Sequence, residues 1–559
     1  MKTKIYLTFL ALISIFLLSN CSDDYLDKFP LDQPSDATFW STQTELQLSV
    51  NALYTSLYFT DRSATHLPFQ FLLDLVSDIT WDRNLSAWKL LSQGLITPNE
   101  QTLIEGTWKS AYQTIGQANR LLANMEKAKD VTDPGVYANI EAEARFFRAY
   151  WYHYLTALYG DVPFTIEPLD IFNAELPRTS KSEIHNFIIE ELDAAAAVLP
   201  EAYPETERGK ITKGAALAIK AREALFNEDW DKAMAAAKNV IDMDIYSLYP
   251  DYEELFTYAA QNNNEEVLTI HFSRANQKTH ETPVHVRGRL GSGFATKIPT
   301  QALIDSYQSI DGLRIDQSPL YDPTKPFENR DPRLHATCVV PGSIFLGYQF
   351  ETHPDSLTCW DYNTDPPRRV TNLEVTHAYA TFSGYQYRKY VSDEDREFRR
   401  QSELNIMLVR YAEVLLMYAE AKVEKGEIDE TVYSAVNDVR KRAGMPEIAN
   451  GKSPEELRRI IRQERKVEFA FEGLRFFDLR RWKLAEDVMP GVLYGRPLRD
   501  YESSFIPTFD ENDVPHYDAY GDKLRQFDTR FFNPVKDYLW PIPQKERDIN
   551  SNLGQNPVY

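Results

Sequence analysis

From Ile140, apolar residues recur at Ala144, Phe147, Trp151, Tyr154, Leu155 and Leu158. That spacing lays them on one face of an α-helix. Gly160-Asp161-Val162-Pro163 ends it. Ser180 and Glu183 form a capping box that opens a helix through Ile184, Ile188 and Leu192. Thr212 to Phe226 is Ala-rich and helical, Asn227-Glu228-Asp229 is a turn, and Trp230 to Ile241 is a second helix. Its Ala233, Ala236 and Ala237 let two antiparallel helices pack closely. A second hairpin comes late: Tyr411, Val414, Leu415, Tyr418 and Ala419 mark one helix, Gly426 breaks it, and Val432 to Ala443 follows, closed by Gly444. Ser453-Pro454-Glu455-Glu456 then starts a helix with Ser453 as N-cap, Pro454 at the first position and Glu456 completing the box.

These hairpins resemble tetratricopeptide units. Between them, residues 244 to 400 are rich in Gly, Pro, Asn and Asp, and the helical period fades. Only short β-like pieces stand out, at Glu266 to Phe272 and Ala336 to Val340. The fold expected is mainly α: a helical-repeat superhelix with large loop-rich insertions and short strands. The scaffold is placed at about 35–243 and 404–488. The irregular, ligand-facing insertions are placed at about 244–403 and 489–559.

The first residues set an address. Lys2 and Lys4 precede an apolar run from Ile5 to Leu18, then Ser19-Asn20-Cys21. The run fits a secretory signal and is too short for a permanent span. Residues 1–20 resemble a lipoprotein signal, with Cys21 as the lipidated first residue of the body 21–559. Ser22-Asp23-Asp24 resembles the acidic tag that exports such lipoproteins to the cell surface. A net charge of −22 over 559 residues disfavours nucleic acid, because no basic stripe neutralises phosphates. With Cys21 lipidated, Cys338 and Cys359 are left, either as one disulfide or as two buried thiols.

Enzyme motifs fail one by one. His280-Glu281-Thr282-Pro283-Val284-His285 has one residue too many for a zinc-binding helix, and Pro283 would break it. Gly451-Lys452-Ser453 lacks the earlier glycine of a phosphate loop, and G-x-S-x-G is absent. Paired carboxylates cleave glycosides, but 83 acidic residues single out no pair. No catalytic residue, metal ligand or cofactor is assigned. Acidic turns such as Asp510-Glu511-Asn512-Asp513 depart from an EF-hand loop. Glu464 falls in an apolar helical stripe beside Arg465 and one turn before Glu468, which reads as a buried ion-pair network.

The tryptophans point to ligand. Trp108, Trp151, Trp230 and Trp482 lie in helical patterns, and Trp40 and Trp540 read as packing. Trp81, Trp88 and Trp360 lie in loop-like sequence. Trp81 leads into Asp82, Arg83 and Asn84, and Trp360 into Asp361, Tyr362 and Asn363. A flat ring stacks on the apolar face of a sugar while neighbouring polar groups bind its hydroxyls. Trp81, Asp82, Arg83, Asn84, Trp360 and Tyr362 are therefore the expected ligand contacts. A ring covering about 50 Å² contributes roughly 1.2 kcal/mol, which suits capture and release.

The chain also resembles the SusD/RagB family. Tyr538-Leu539-Trp540-Pro541-Ile542-Pro543 with Gln555-Asn556-Pro557-Val558-Tyr559 looks like its closing signature. Arg410-Tyr411-Ala412-Glu413, Glu464-Arg465, Arg475-Phe476-Phe477-Asp478-Leu479-Arg480-Arg481-Trp482 and Tyr159-Gly160-Asp161-Val162-Pro163 match further blocks in order. The resemblance implies a lipid-anchored outer-membrane protein of the cell surface. It implies an oligosaccharide ligand and a SusC-like TonB-dependent transporter as partner. Three alternatives stay open: a peptide or other non-glycan nutrient, a structural lid with little binding of its own, and a glycoside hydrolase.

Overall fold

The computed structural model describes residues 39–60, 67–170 and 172–559. The signal segment, Cys21 and the acidic tag lie outside the described residues. The principal helices are α1 (Gln43–Tyr54), α2 (Ile104–Asn124), α3 (Pro134–Tyr159), α4 (Lys181–Val198), α5 (Lys213–Phe226), α6 (Trp230–Asp242), α7 (Tyr411–Lys425), α8 (Glu430–Arg442), α9 (Pro454–Glu468) and α10 (Arg475–Arg481).

The Ser453 box and the Ser180 cap are those the sequence signals, the latter without the return bond from Glu183. Ser453 accepts the Glu456 amide, and the Glu456 carboxylate takes the Ser453 amide in return at 2.8 Å. Ser180 caps α4 by accepting the Glu183 amide. Asp133 caps α3 ahead of Pro134, and Gly160 closes it. Gly160 has φ +77°, and a side chain there would meet Leu539 Cδ1 at 2.9 Å. α3 is buried on nearly every side from Phe146 to Tyr159, so it is the axis of the body.

Helices α2 to α7 pack each against the next, and α8 and α9 both pack on α7. α6 lies directly against α7, although all of 243–410 falls between them in sequence. The fold is thus a helical-repeat array with a long segment inserted at one joint. Strand β2 (Glu266–Ile270) pairs antiparallel with β8 (Ile406–Arg410) and ties the two ends of the insertion together.

Two cores result. One fills the helical array. The other lies in the insertion and includes Tyr252, Tyr307, Leu334, Tyr385, Tyr387 and Tyr390. Tyr387 stacks on Phe471 at 4.2 Å, and Phe71 stacks on Phe471 at 5.2 Å, joining insertion to scaffold. The insertion is irregular, as expected, with only short regular elements, and it also packs a core of its own.

Charge fastens the same junction. Glu464 meets Arg333 and Arg440. Glu468 meets Arg333 at 2.8 Å, Arg410 at 2.6 Å and also Arg442. Arg410 reaches Glu265 and Glu472 at 2.8 Å each, and Lys389 of the insertion reaches Glu472 at 2.7 Å. Burial alone would raise the Glu468 carboxyl. Arg442, Arg410 and Arg333 outweigh it and hold the group well below the usual range. The network expected around Glu464 is present, and it bonds helix α9 to the insertion.

The closing segment departs from expectation. Residues 489–559 do not all face outward. Trp540, Ile542 and Leu553 enter the core of the helical body. The Trp540 amide donates to Leu158 O at 2.7 Å, and the Asn556 amide side chain donates to Tyr159 O at 2.9 Å. In the earlier part, β9 (Gly491–Pro497) pairs with β10 (Leu524–Arg530), and Leu493 and Phe527 pack against Trp81. Cys338 and Cys359 are both buried and free.

Candidate functional site

Among the described residues, the exposed large aromatics are Phe172, Trp360, Tyr362, Tyr379, Phe382, Phe398 and Phe531. Five of the seven belong to the insertion. Four of the five fall in two groups with Arg side chains between or over the rings, and Phe398 stands apart under Arg274.

The first group surrounds Trp360. Strands β4 (Ile344–Phe345), β5 (Tyr348–Gln349), β6 (Thr358–Asp361) and β7 (Arg368–Thr371) form an antiparallel sheet in the order β7-β6-β5-β4. The two-residue alternation of a strand sends Cys359 and Asp361 inward and Thr358 and Trp360 outward. Trp360 is 38% exposed. Arg369 sits opposite it in register and lays its guanidinium over the indole at 5.2 Å. Arg369 is fixed there by donating to Thr358 Oγ1 at 2.6 Å. Tyr362, 42% exposed, continues the same edge, and its amide donates to Gly347 O at 2.8 Å. One face of the indole is therefore covered by a cation, while the rest of the ring and the Tyr362 phenol remain partly exposed.

The second group is built on β1 (Thr80–Asp82), which pairs with β3 (Lys297–Pro299) and sets Trp81 opposite Ile298. Trp81 is only 3% exposed. This corrects the expectation of an open loop indole. Strand pairing turns the ring inward against Phe382 at 5.7 Å and Phe527 at 4.8 Å, with Lys89 over it at 4.7 Å. Its indole N–H donates to Asp528 at 2.6 Å. No face is open for a sugar. Asp82 is likewise committed: Lys297 pairs with it at 2.7 Å, the Ser86 hydroxyl donates to it at 2.6 Å, and it accepts the Asn84 amide at 2.9 Å. Neither residue is an exposed contact; both hold the ledge from inside.

Arg83 and Asn84 are half-buried at the surface. The Arg83 guanidinium lies 5.2 Å from the Tyr379 ring and 5.9 Å from the Phe382 ring, and donates to Tyr379 O at 3.0 Å. Burial, and then Arg289, draws its proton affinity down, with Asp82 and Tyr379 opposing. Tyr379 is 59% exposed, and His377 accepts its amide at 2.9 Å. The result is a ledge of two exposed rings bridged by a cation. Flat apolar faces next to donors suit a polyhydroxylated ligand. Among the described residues, no ring contact joins this ledge to Trp360.

Tyr379 and Phe382 escaped the sequence reading. They sit in His377-Ala378-Tyr379-Ala380-Thr381-Phe382, which has no period, and only the fold reveals that Arg83 reaches them from 296 positions away. Trp88, read as loop, is in fact 1% exposed in a short helix, Ala87–Ser92.

Comparison with known proteins fixes the wider setting. A sequence model of the SusD family matches residues 254–559, and one described as starch-binding and associating with the outer membrane matches residues 24–225. The chain belongs to the SusD family. It is 27% identical to SusD-like protein P2 of Formosa agariphila over the full length of both chains. A SusD-like protein of Bacteroides ovatus is 24% identical, with 97% of this chain and 96% of that one covered. Among solved structures, a SusD-like carbohydrate binding protein of Bacteroides fragilis superposes with TM-score 0.81 at 28% identity. That match covers 92% of this chain and all of the other. A surface glycan-binding protein A of Bacteroides thetaiotaomicron, solved with laminarihexaose, shares the fold at TM-score 0.66 and 21% identity, covering 92% of this chain and 99% of that one. The tetratricopeptide-like architecture read from the hairpins is that of this family. Among the described residues, no helix is long and apolar enough to cross a membrane.

Proposed function

We propose that this SusD-family protein captures an oligosaccharide at the outer face of the cell and passes it to a SusC-like TonB-dependent transporter. Binding, not turnover, is its task. The observation that carries the reading is the concentration of exposed rings on the insertion, with Arg83 and Arg369 beside them. The carbohydrate-binding relative of the same fold and the laminarihexaose complex of a more distant one support a sugar as ligand. Lipid on Cys21 would hold the protein at the membrane, and the family description that mentions the outer membrane agrees with that address.

Two rings at about 1.2 kcal/mol each and a few net hydrogen bonds near 1 kcal/mol give micromolar-to-millimolar affinity. That strength allows release into a pore. Calorimetric titration of the full-length protein with a panel of soluble glycans tests the reading. Saturable binding of at least one glycan, with no reducing ends released on incubation, is the expected result. Failure of every glycan to bind would count against a sugar ligand. Co-purification of a large β-barrel transporter from native membranes tests the partner.

A further inference from the structure

Three sequence blocks that the glycan reading does not use meet at one cavity of about 780 Å³ between the helical body and the closing segment. Gly160 and Asp161 come from the end of α3, Arg480, Arg481 and Lys483 from α10 and its exit, and Leu539 and Asn556 from the last residues. Two of its cations, Arg178 and Lys181, come from the entry to α4.

The cavity is cationic in a protein of net charge −22. Arg178, Lys181, Arg480, Arg481 and Lys483 line it, against Asp161 and Glu228. Arg481 is neutralised by Glu420 and Asp478. Among the described residues, none of the other four has a carboxylate oxygen within 4.0 Å. Arg178 spends its donors on Asp161 O at 2.7 Å and Asn556 Oδ1 at 2.6 Å.

Arg480 is the buried member, 8% exposed. Its guanidinium lies on the Phe476 ring at 3.6 Å and donates to Phe476 O at 3.2 Å and Asp537 O at 3.5 Å. Its Nε has no partner. Burial pushes the group down to about 9, with Asp537, Tyr559 and Tyr538 opposing. Lys181 is also lowered, by burial first and then by Lys483, with Glu223, Glu228 and Asp161 opposing. Lys181 and Lys483 thus bring like charge to the same cavity. Lys483 adds a backbone observation. It occupies the left-handed region at φ +56°, just past α10, where glycine is the unstrained choice. Its ammonium lies 4.4 Å over the Tyr538 ring.

A buried, incompletely paired guanidinium is costly unless an anion joins it, and the two lysines that line the same cavity add to its positive field. We infer that this cavity is a site for a small oxyanion of the phosphate or sulfate type, free or carried on a sugar, bound by Arg480, Lys181 and Lys483. It stands apart from the aromatic ledges and does not depend on the glycan reading.

Equilibrium dialysis of the full-length protein against labelled phosphate and labelled sulfate tests it. Saturable one-to-one binding that weakens as salt rises is expected, and Lys181→Gln with Lys483→Gln should weaken it about tenfold or more. Both lysines are at least partly exposed, so the double variant should fold, as circular dichroism would verify. Trp360→Ala should leave anion binding unchanged. Tighter binding of glucose 6-phosphate than of phosphate would assign the anion to a sugar; the reverse would assign a free ion. Absence of saturable binding of phosphate, sulfate and glucose 6-phosphate below about 10 mM, or equal binding by the double variant, would overturn the inference.

Discussion

The helical body and the insertion are both rich in aromatic rings, and they use them in opposite ways. Along α3, Phe146, Phe147, Tyr150, Trp151, Tyr152, Tyr154 and Tyr159 are all buried. They are wedged between neighbouring helices, where close packing rewards them. The insertion buries rings too, in its own core, but leaves Trp360, Tyr362, Tyr379, Phe382 and Phe398 exposed. A segment that could have hidden them in that core instead displays them beside arginines. The body is a frame, and the insertion carries the exposed rings on which the proposed ligand would rest.

The contrast breaks most severely at the charged junction. Arg410→Ala would leave Glu265, Glu468 and Glu472 buried with lost partners. Breaking such a pair costs about 3–5 kcal/mol. A matching fall in the urea midpoint is expected. Insertion and body should also separate in hydrogen exchange, with 243–410 opening first. Trp81→Ala comes next. It removes a buried ring under Phe382 and should cost about 3 kcal/mol, with glycan affinity falling only through disorder of the ledge. Trp81→Phe should recover most of both, which a directly contacting indole would not do.

The frame has its own pH signature. Asp74 is fully buried, takes the Gly473 amide at 2.9 Å, and is pushed up to about 7 by burial, with Glu472 adding to it. An acid raised in the folded state keeps its proton there after the unfolded chain has lost it. Stability contributed by this group therefore falls as pH rises from its ordinary value of 3.8 through about 7. Asp74→Asn should flatten the decline between pH 5 and pH 8 by about 1–3 kcal/mol, read from denaturation midpoints across pH. The smallest stability effects belong to the face. Trp360→Ala, Tyr379→Ala and Phe382→Ala should each shift stability by about 0.5 kcal/mol or less, Phe382 the most because it covers Trp81.

What could be read from the sequence follows from the range of the forces involved. Helices α5 to α9 were legible to within a residue or two, because a 3.6-residue period, Gly426 at φ +81° and the Ser453 box are local signals. The network around Glu464 was legible because a charge inside an apolar stripe demands partners, though Arg333 could not be named from 131 positions away. The ledges were only half legible. Trp360 is exposed because a four-residue strand alternates, and its flanking Thr358, Cys359 and Asp361 agree with that. Trp81 has a similar polar neighbourhood, yet pairing with Lys297–Pro299 and the distant Asp528 pull it inside. Loop sequence carries no mark of which partner strand will arrive. The packing of Trp540 was legible, but its partner was not, because Leu158 lies far earlier in the chain.

The most direct test compares exposed with buried rings under one glycan. The soluble glycan that binds the full-length protein is titrated into the wild type, a Trp360→Ala/Tyr379→Ala variant and Trp81→Phe. The account predicts that losing the two exposed rings weakens binding by about 50-fold, at roughly 1.2 kcal/mol each, while Trp81→Phe stays within about threefold of wild type. Undiminished binding without Trp360 and Tyr379 would contradict it.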